Sequence, residues 1–181
     1  MENLDKVCIL RTLLENKQST IKRGSSGVYC WWFKKEAAEK LISKLSINNT
    51  EQARISKCTI DKKEYWALYF GISKDMLGRA KWHILQKHSA SAVKYGTLST
   101  LRQTISALLG VDMSNSEECV NKFIDDNCYW EWEYDDKNYK LRETNELSSI
   151  TKCYPLNIQE NKTVRKEVIE RLSALRKMYR K

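Results

Sequence analysis

The stretch YFGISKDMLGRAKWH, Tyr69 to His83, opens as an apolar strand and closes as an amphipathic helix, with Gly71 at the change-over. A strand end that passes directly into a helix points to helices packed on a sheet. Beyond the glycine, Arg79 and His83 stand four residues apart. That is about one helical turn, so a cation and an imidazole share a face.

The rest of the chain alternates between the same two patterns. Leu4, Val7, Cys8, Leu10, Arg11 and Leu14 lie at helical spacing, which predicts a short N-terminal helix. GVYCWWF, Gly27 to Phe33, is β-branched and aromatic and reads as a strand. Ala37, Leu41, Ile42 and Leu45 mark a helix after it, and Asn48 to Arg54 reads as a turn-rich insertion. RISKCTI and EYWALYFGI form a hairpin about Asp61, Lys62 and Lys63, and a helix is expected from Lys74 to His88. Leu101, Ile105, Leu108 and Leu109 stripe a helix that starts at Ser99 and stops at Gly110. Ser114 or Ser116 suits the N-cap of the next.

YWEWEY, Tyr129 to Tyr134, alternates aromatic and acidic residues as a half-buried strand does, with NYKLRE as its expected hairpin partner. A helix is then expected from Glu143 to Pro155. The last helix buries Val164, Val168, Leu172, Leu175 and Tyr179 and carries basic residues around the rest. The fold class predicted is mixed α/β: a small antiparallel sheet with helices packed on it, in one domain over residues 1–181.

Net charge is +9, which favours a polyanionic partner, nucleic acid before an anionic membrane. No apolar run is long enough to span a membrane, and the N-terminus lacks a signal-peptide layout. No two of the six cysteines are spaced as CxxC, which leaves them as packed thiols of a cytoplasmic protein rather than zinc ligands.

GVY (Gly27, Val28, Tyr29), then YFG (Tyr69, Phe70, Gly71), then Arg79 eight residues after Gly71, and then His83, together resemble the GIY-YIG nuclease superfamily. ETNELSSITKCYPLN is similar to the family's closing segment, a glutamate-bearing helix that leads to a PLN-like end. The resemblance runs from about Gly27 to Asn157, with a longer loop between the two tyrosines than minimal members have. It implies two antiparallel motif strands, a phosphodiester-hydrolysing site and a divalent cofactor, Mg²⁺ or Mn²⁺. Tyr29, Tyr69, Arg79, His83 and Glu146 match its catalytic positions, and Asn157 its terminal asparagine. Glu146 is the best match to the metal-binding glutamate. Its interval to Asn157 is one residue short, so Glu143 is the rival.

The residue types suit the chemistry. A carboxylate can hold one divalent ion at a phosphate, and an arginine fork matches phosphate oxygens. A tyrosine ordinarily titrates near 10 and needs a cation close by to act as a base. Arg165, Lys166, Arg176 and Lys177 on the last helix are the expected phosphate-tracking residues, with Arg102 and Asn157 as further nucleic-acid contacts. The function expected is a metal-dependent endonuclease acting on DNA, with RNA left open, of restriction type or a related DNA-processing kind. Palindromic cutting would favour a homodimer. The rivals are an inactive nucleic-acid-binding module and a basic adaptor protein.

Overall fold

The computed structural model describes residues 3–181. Its centre is built from the two most aromatic runs. β2 (Gly27–Lys34) and β4 (Lys63–Ser73) pair antiparallel, with Tyr29 opposite Gly71 and Trp31 opposite Tyr69. β4 returns from β3 (Lys57–Ile60) through Asp61 and Lys62, both at positive φ, as a two-residue hairpin turn demands. The other edge of β2 takes β5 (Cys128–Tyr134), and β5 takes β1 (Asn3–Lys6). The sheet order is β1-β5-β2-β4-β3, with every pairing antiparallel.

One irregularity decides what the sheet can do. The β2–β4 register slips between Trp31 and Trp32, whose partners are Tyr69 and Ala67, leaving Leu68 as the extra residue. Trp66 and Leu68 face the main core, and Ala67 faces away. Strict alternation would turn Tyr69 away as well. The bulge instead keeps Tyr69 on the main-core side, beside Tyr29.

Helices α1 (Val7–Glu15), α2 (Lys35–Ile42), α4 (Met76–Leu85), α6 (Thr100–Leu109), α7 (Glu117–Asn127) and α9 (Lys166–Met178) bury their apolar stripes against that face. Tyr29, Trp31, Phe33, Trp66 and Trp130 are at its heart. The opposite face is covered by α8 (Tyr139–Leu147), which packs Tyr139 and Leu147 with Val28, Cys30, Phe70 and Tyr154. Two short helices, α3 (Asn49–Ala53) and α5 (Ala90–Lys94), complete the order.

Several expectations are corrected. Leu4 lies in β1, not in the first helix, because Asn3 to Lys6 find a ladder partner in β5. Asn48 to Arg54 is not a plain insertion: Asn48 and Glu51 form a reciprocal capping box that starts α3. NYKLRE does not pair with β5, both of whose edges are already taken, and Tyr139 opens α8 instead. That helix ends at Leu147, well before Pro155, and α4 ends at Leu85, where Gln86 turns extended.

Candidate active site

The two motif glycines make room for different neighbours, Gly71 for the tyrosine ring and Gly27 for the β5 backbone. A Cβ at Gly71 would lie 2.5 Å from the Tyr29 hydroxyl oxygen, so only glycine lets that ring lie across the neighbouring strand. A Cβ at Gly27 would run into the backbone carbonyl of Glu133 on β5. Tyr29 is thus clamped between its neighbours and is 1% exposed.

Its hydroxyl meets His83 Nε2 at 2.9 Å, and His83 Nδ1 meets Ser99 Oγ at 2.6 Å. Ser99 caps α6, accepting from the Arg102 backbone N–H, so one hydroxyl starts a helix and fixes a ring. His83 is buried with both nitrogens engaged, and it does not reach solvent. Burial, followed by the charges of Arg79 and Arg102, holds its pKa well below 6.5, so it is neutral at pH 7. Burial also pushes the Tyr29 phenol well above 10. Tyr69 and Glu143 add to that rise, and Arg79 opposes it.

Arg79 sits at the rim of α4, half-buried, its guanidinium 4.6 Å over the Trp82 ring. It lines an open groove of about 640 Å³ together with Lys74, Trp82, Tyr139 and Lys140. Tyr69 is half-buried, donates to or accepts from Thr100 Oγ1 at 3.1 Å, and lines a smaller cavity of about 160 Å³.

The two glutamates of α8 have different surroundings. Glu146 accepts from Lys152 Nζ at 2.7 Å with each oxygen and from the Tyr154 hydroxyl at 2.7 Å. It lies on the Cys30 side of the sheet, where burial first, then the charges of Glu131 and Glu146, push the Cys30 thiol up. Glu143 shares the small cavity with Tyr69, Asn157 and Arg176, and no described residue bonds or ion-pairs its carboxylate. Burial first, then the charge of Glu160, raises its pKa, against a lowering by Arg79. The structure therefore brings Tyr29, Tyr69, Arg79, His83 and Glu143 together, and sets Glu146 in an ion pair outside that group. Spacing favours Glu143, the rival named from the sequence: it stands midway between the buried Tyr139 and Leu147, four residues from each.

The residues expected on nucleic acid also divide. Arg102 is 1% exposed and spends its guanidinium on His88 Nε2, the carbonyls of His83 and Ile84, and Asn121, so it braces helices. Asn157 accepts from the Phe70 N–H at 2.9 Å and donates to the Phe70 carbonyl at 2.7 Å, which pins the closing loop to β4. Arg165 pairs with Glu51 and donates to the Ser46 carbonyl, and Lys166 pairs with Glu170 at 3.3 Å. Lys177 is exposed. Arg176 turns inward to the cavity that holds Glu143.

Comparison with curated proteins and with solved structures returned no match. The family model of the GIY-YIG catalytic domain matches residues 27–178, from the first glycine of β2 to the last residue of α9. Nuclease activity and a nucleic-acid substrate follow from that domain, and nucleases of this kind generally use divalent metal ions. With most of its length matched, and with the GVY and YFG strands paired face to face around one tyrosine, the chain belongs to the GIY-YIG family.

Proposed function

We propose that the protein is a divalent-metal-dependent endonuclease that hydrolyses DNA phosphodiester bonds, in restriction or a related DNA-processing role. The observation that carries this reading is the half-buried Glu143 carboxylate, unpaired among the described residues, in the cavity that Tyr69 also lines and in the field of Arg79. A buried charge without a partner is costly unless something supplies one. Mg²⁺ commonly takes only one or two carboxylates and fills its other positions with water and phosphate, so Glu143 fits as the residue that holds it. When bound, the ion polarises the phosphate and cancels the carboxylate charge that helps keep Tyr29 protonated.

The chain's own groups do the rest. Arg79, held over Trp82 and flanked by Lys74 and Lys140, takes the phosphate in the open groove. Tyr69, at the cavity, orients the attacking water. Tyr29 accepts a water proton as it passes its own to His83 Nε2, in the tautomer whose Nδ1–H donates to Ser99. Phosphate at Arg79 offsets one of the charges that make His83 a weak base, which couples proton transfer to substrate binding. The net charge of +9 supports a polyanionic strand. A restriction-type role adds a second copy, so that two sites face two strands.

The test is to incubate the purified protein with supercoiled plasmid and with an RNA of similar length, in Mg²⁺ or Mn²⁺ and in EDTA. Discrete nicks in plasmid, absent in EDTA, are expected. A protein that binds DNA yet never cuts it, whichever divalent ion is supplied, is a binding module and not an enzyme.

A further inference from the structure

Arg176, expected from the sequence on an outer phosphate-tracking surface, has no part in the mechanism above. It comes from α9, far along the chain from the motif strands, yet it lines the cavity that holds Tyr69, Glu143 and Asn157. Its Nη2 donates to Gln103 Oε1 at 3.0 Å, and the same oxygen accepts from Arg180 Nη2 at 2.9 Å. Gln103 is itself anchored, its amide donating to the Leu98 carbonyl at 2.5 Å. Two guanidinium groups thus converge on one neutral oxygen. Among the described residues, neither has a carboxylate at ion-pair distance. The Arg176 Nε is shut off from solvent and has no hydrogen-bond acceptor.

A brace between helices does not account for this arrangement. Gln103 would satisfy one arginine. A second like charge beside it is repulsive, and burial together with Arg180 pulls the Arg176 pKa down. A buried N–H left unpaired costs about 1–3 kcal/mol. The repulsion between the two guanidinium groups is relieved if an anion enters the cavity that Arg176 lines. The space, about 160 Å³, falls below the roughly 300 Å³ of clefts that take whole small molecules, and suits a small anionic group.

We propose that Arg176, aimed by Gln103 and backed by Arg180, is a second phosphate subsite, which grips a phosphate of the bound strand on the Glu143 side while Arg79 grips one from the groove. The subsite rests on the nuclease reading for its natural ligand, a phosphodiester of nucleic acid, though not for its anion chemistry. It makes the terminal helix part of the substrate cleft rather than an outer basic surface. A planar guanidinium can present parallel donors to two phosphate oxygens, which lysine does not.

The test uses the full chain in EDTA, so that neither metal nor cleavage enters. Inorganic phosphate is titrated while the Arg176 Nε–H resonance, assigned by its loss in Arg176→Lys, is followed by NMR. The resonance should shift and saturate with phosphate. Arg176→Gln should weaken phosphate binding about tenfold or more, and should reduce the salt slope of DNA binding by about one unit. With Mg²⁺, the same variant should raise KM more than it lowers kcat, and Arg176→Lys should restore part of the loss. An unmoved resonance in the unaltered protein, or a folded Arg176→Gln with unchanged phosphate affinity and salt slope, overturns the subsite and leaves Arg176 a brace. A protein that passes these tests but never cuts retains the subsite and loses the hydrolytic reading; one that cuts but fails them does the reverse.

Discussion

Glu143 and Glu146 lie on one helix, less than a turn apart, and lead different electrostatic lives. Glu146 is finished: Lys152 neutralises it and the Tyr154 hydroxyl completes its bonds. Glu143 is unfinished, crowded by Glu160 and helped only by Arg79. The difference lies in what each meets: Lys152 and Tyr154 for Glu146, and the cavity lined by Tyr69 and Arg176 for Glu143. A carboxylate that the fold already satisfies has little left to offer an ion, whereas one that the fold leaves wanting is primed for it. The same contrast separates Arg102, whose buried guanidinium is fully engaged, from Arg176, whose Nε is not.

Exchanging the two glutamates in turn is the strongest way to break this contrast. Glu143→Gln should lower plasmid cleavage by about a thousandfold or more, since a bound metal contributes several kcal/mol to such a step. Glu146→Gln should cut within a few-fold of the parent but lose about 1 kcal/mol of stability, discounted for its partial exposure. Their melting temperatures should move oppositely. The raised pKa of Glu143 means that its ionised form is disfavoured by folding. Its stabilising contribution is full below the unfolded value and is lost as pH rises through the folded one, so at pH 7 the Gln variant is no less stable. A dead Glu146→Gln beside an active Glu143→Gln would invert the assignment.

Arg79→Lys comes next in size. It keeps the charge but loses the fork and much of the contact with Trp82, and turnover should fall about a hundredfold with the fold intact. The pH profile gives a finer cut. Cleavage needs Glu143 ionised, so the acid limb of kcat/KM should lie above the ordinary carboxylate value of 4.5. Glu160→Gln should move that limb to lower pH, because Glu160 is the second cause of the raised pKa. A limb that stays put would mean that another group sets it. The smallest effect belongs to the exposed lysines. Replacing Lys162, Lys166 and Lys177 by Gln should leave kcat unchanged and flatten the salt dependence of DNA binding by about one unit per lost phosphate contact.

How much of this was legible depended on what each residue answers to. The GVY and YFG strands, Arg79 and His83 could be read because short-range rules place them: period two in strands, a turn of four in the helix, glycines where a ring must pass. β1 could not be read, since Asn3 to Lys6 have no strand pattern of their own and take their form from β5. Glu143 was obscured by a neighbour's misreading. With Tyr139 to Arg142 taken as strand, the helix seemed to begin at Glu143, and the stripe from Tyr139 through Glu143 to Leu147 was invisible. Arg102 and Arg176 were beyond reach for a different reason. Whether a cation on an amphipathic helix is spent or free depends on what packs against it, and composition carries no trace of that.

Asn157 gives the site a place in time. Its side chain bonds both backbone groups of Phe70, 87 residues earlier in the chain. Arg54 reaches forward 109 residues to the Thr163 carbonyl. Contacts of such separation carry the largest loop-closure cost, and they tend to form after local helices and hairpins have done so. The β2–β4 ladder and α4 can assemble with Tyr29, Tyr69, Arg79 and His83 in place, while Glu143 and Arg176 still await the closing loop and α9. On a ribosome, which releases the chain from its N-terminus, the cleft is complete only once α9 has emerged. The order of folding thus keeps the activity silent until α9 has docked beside the closing loop.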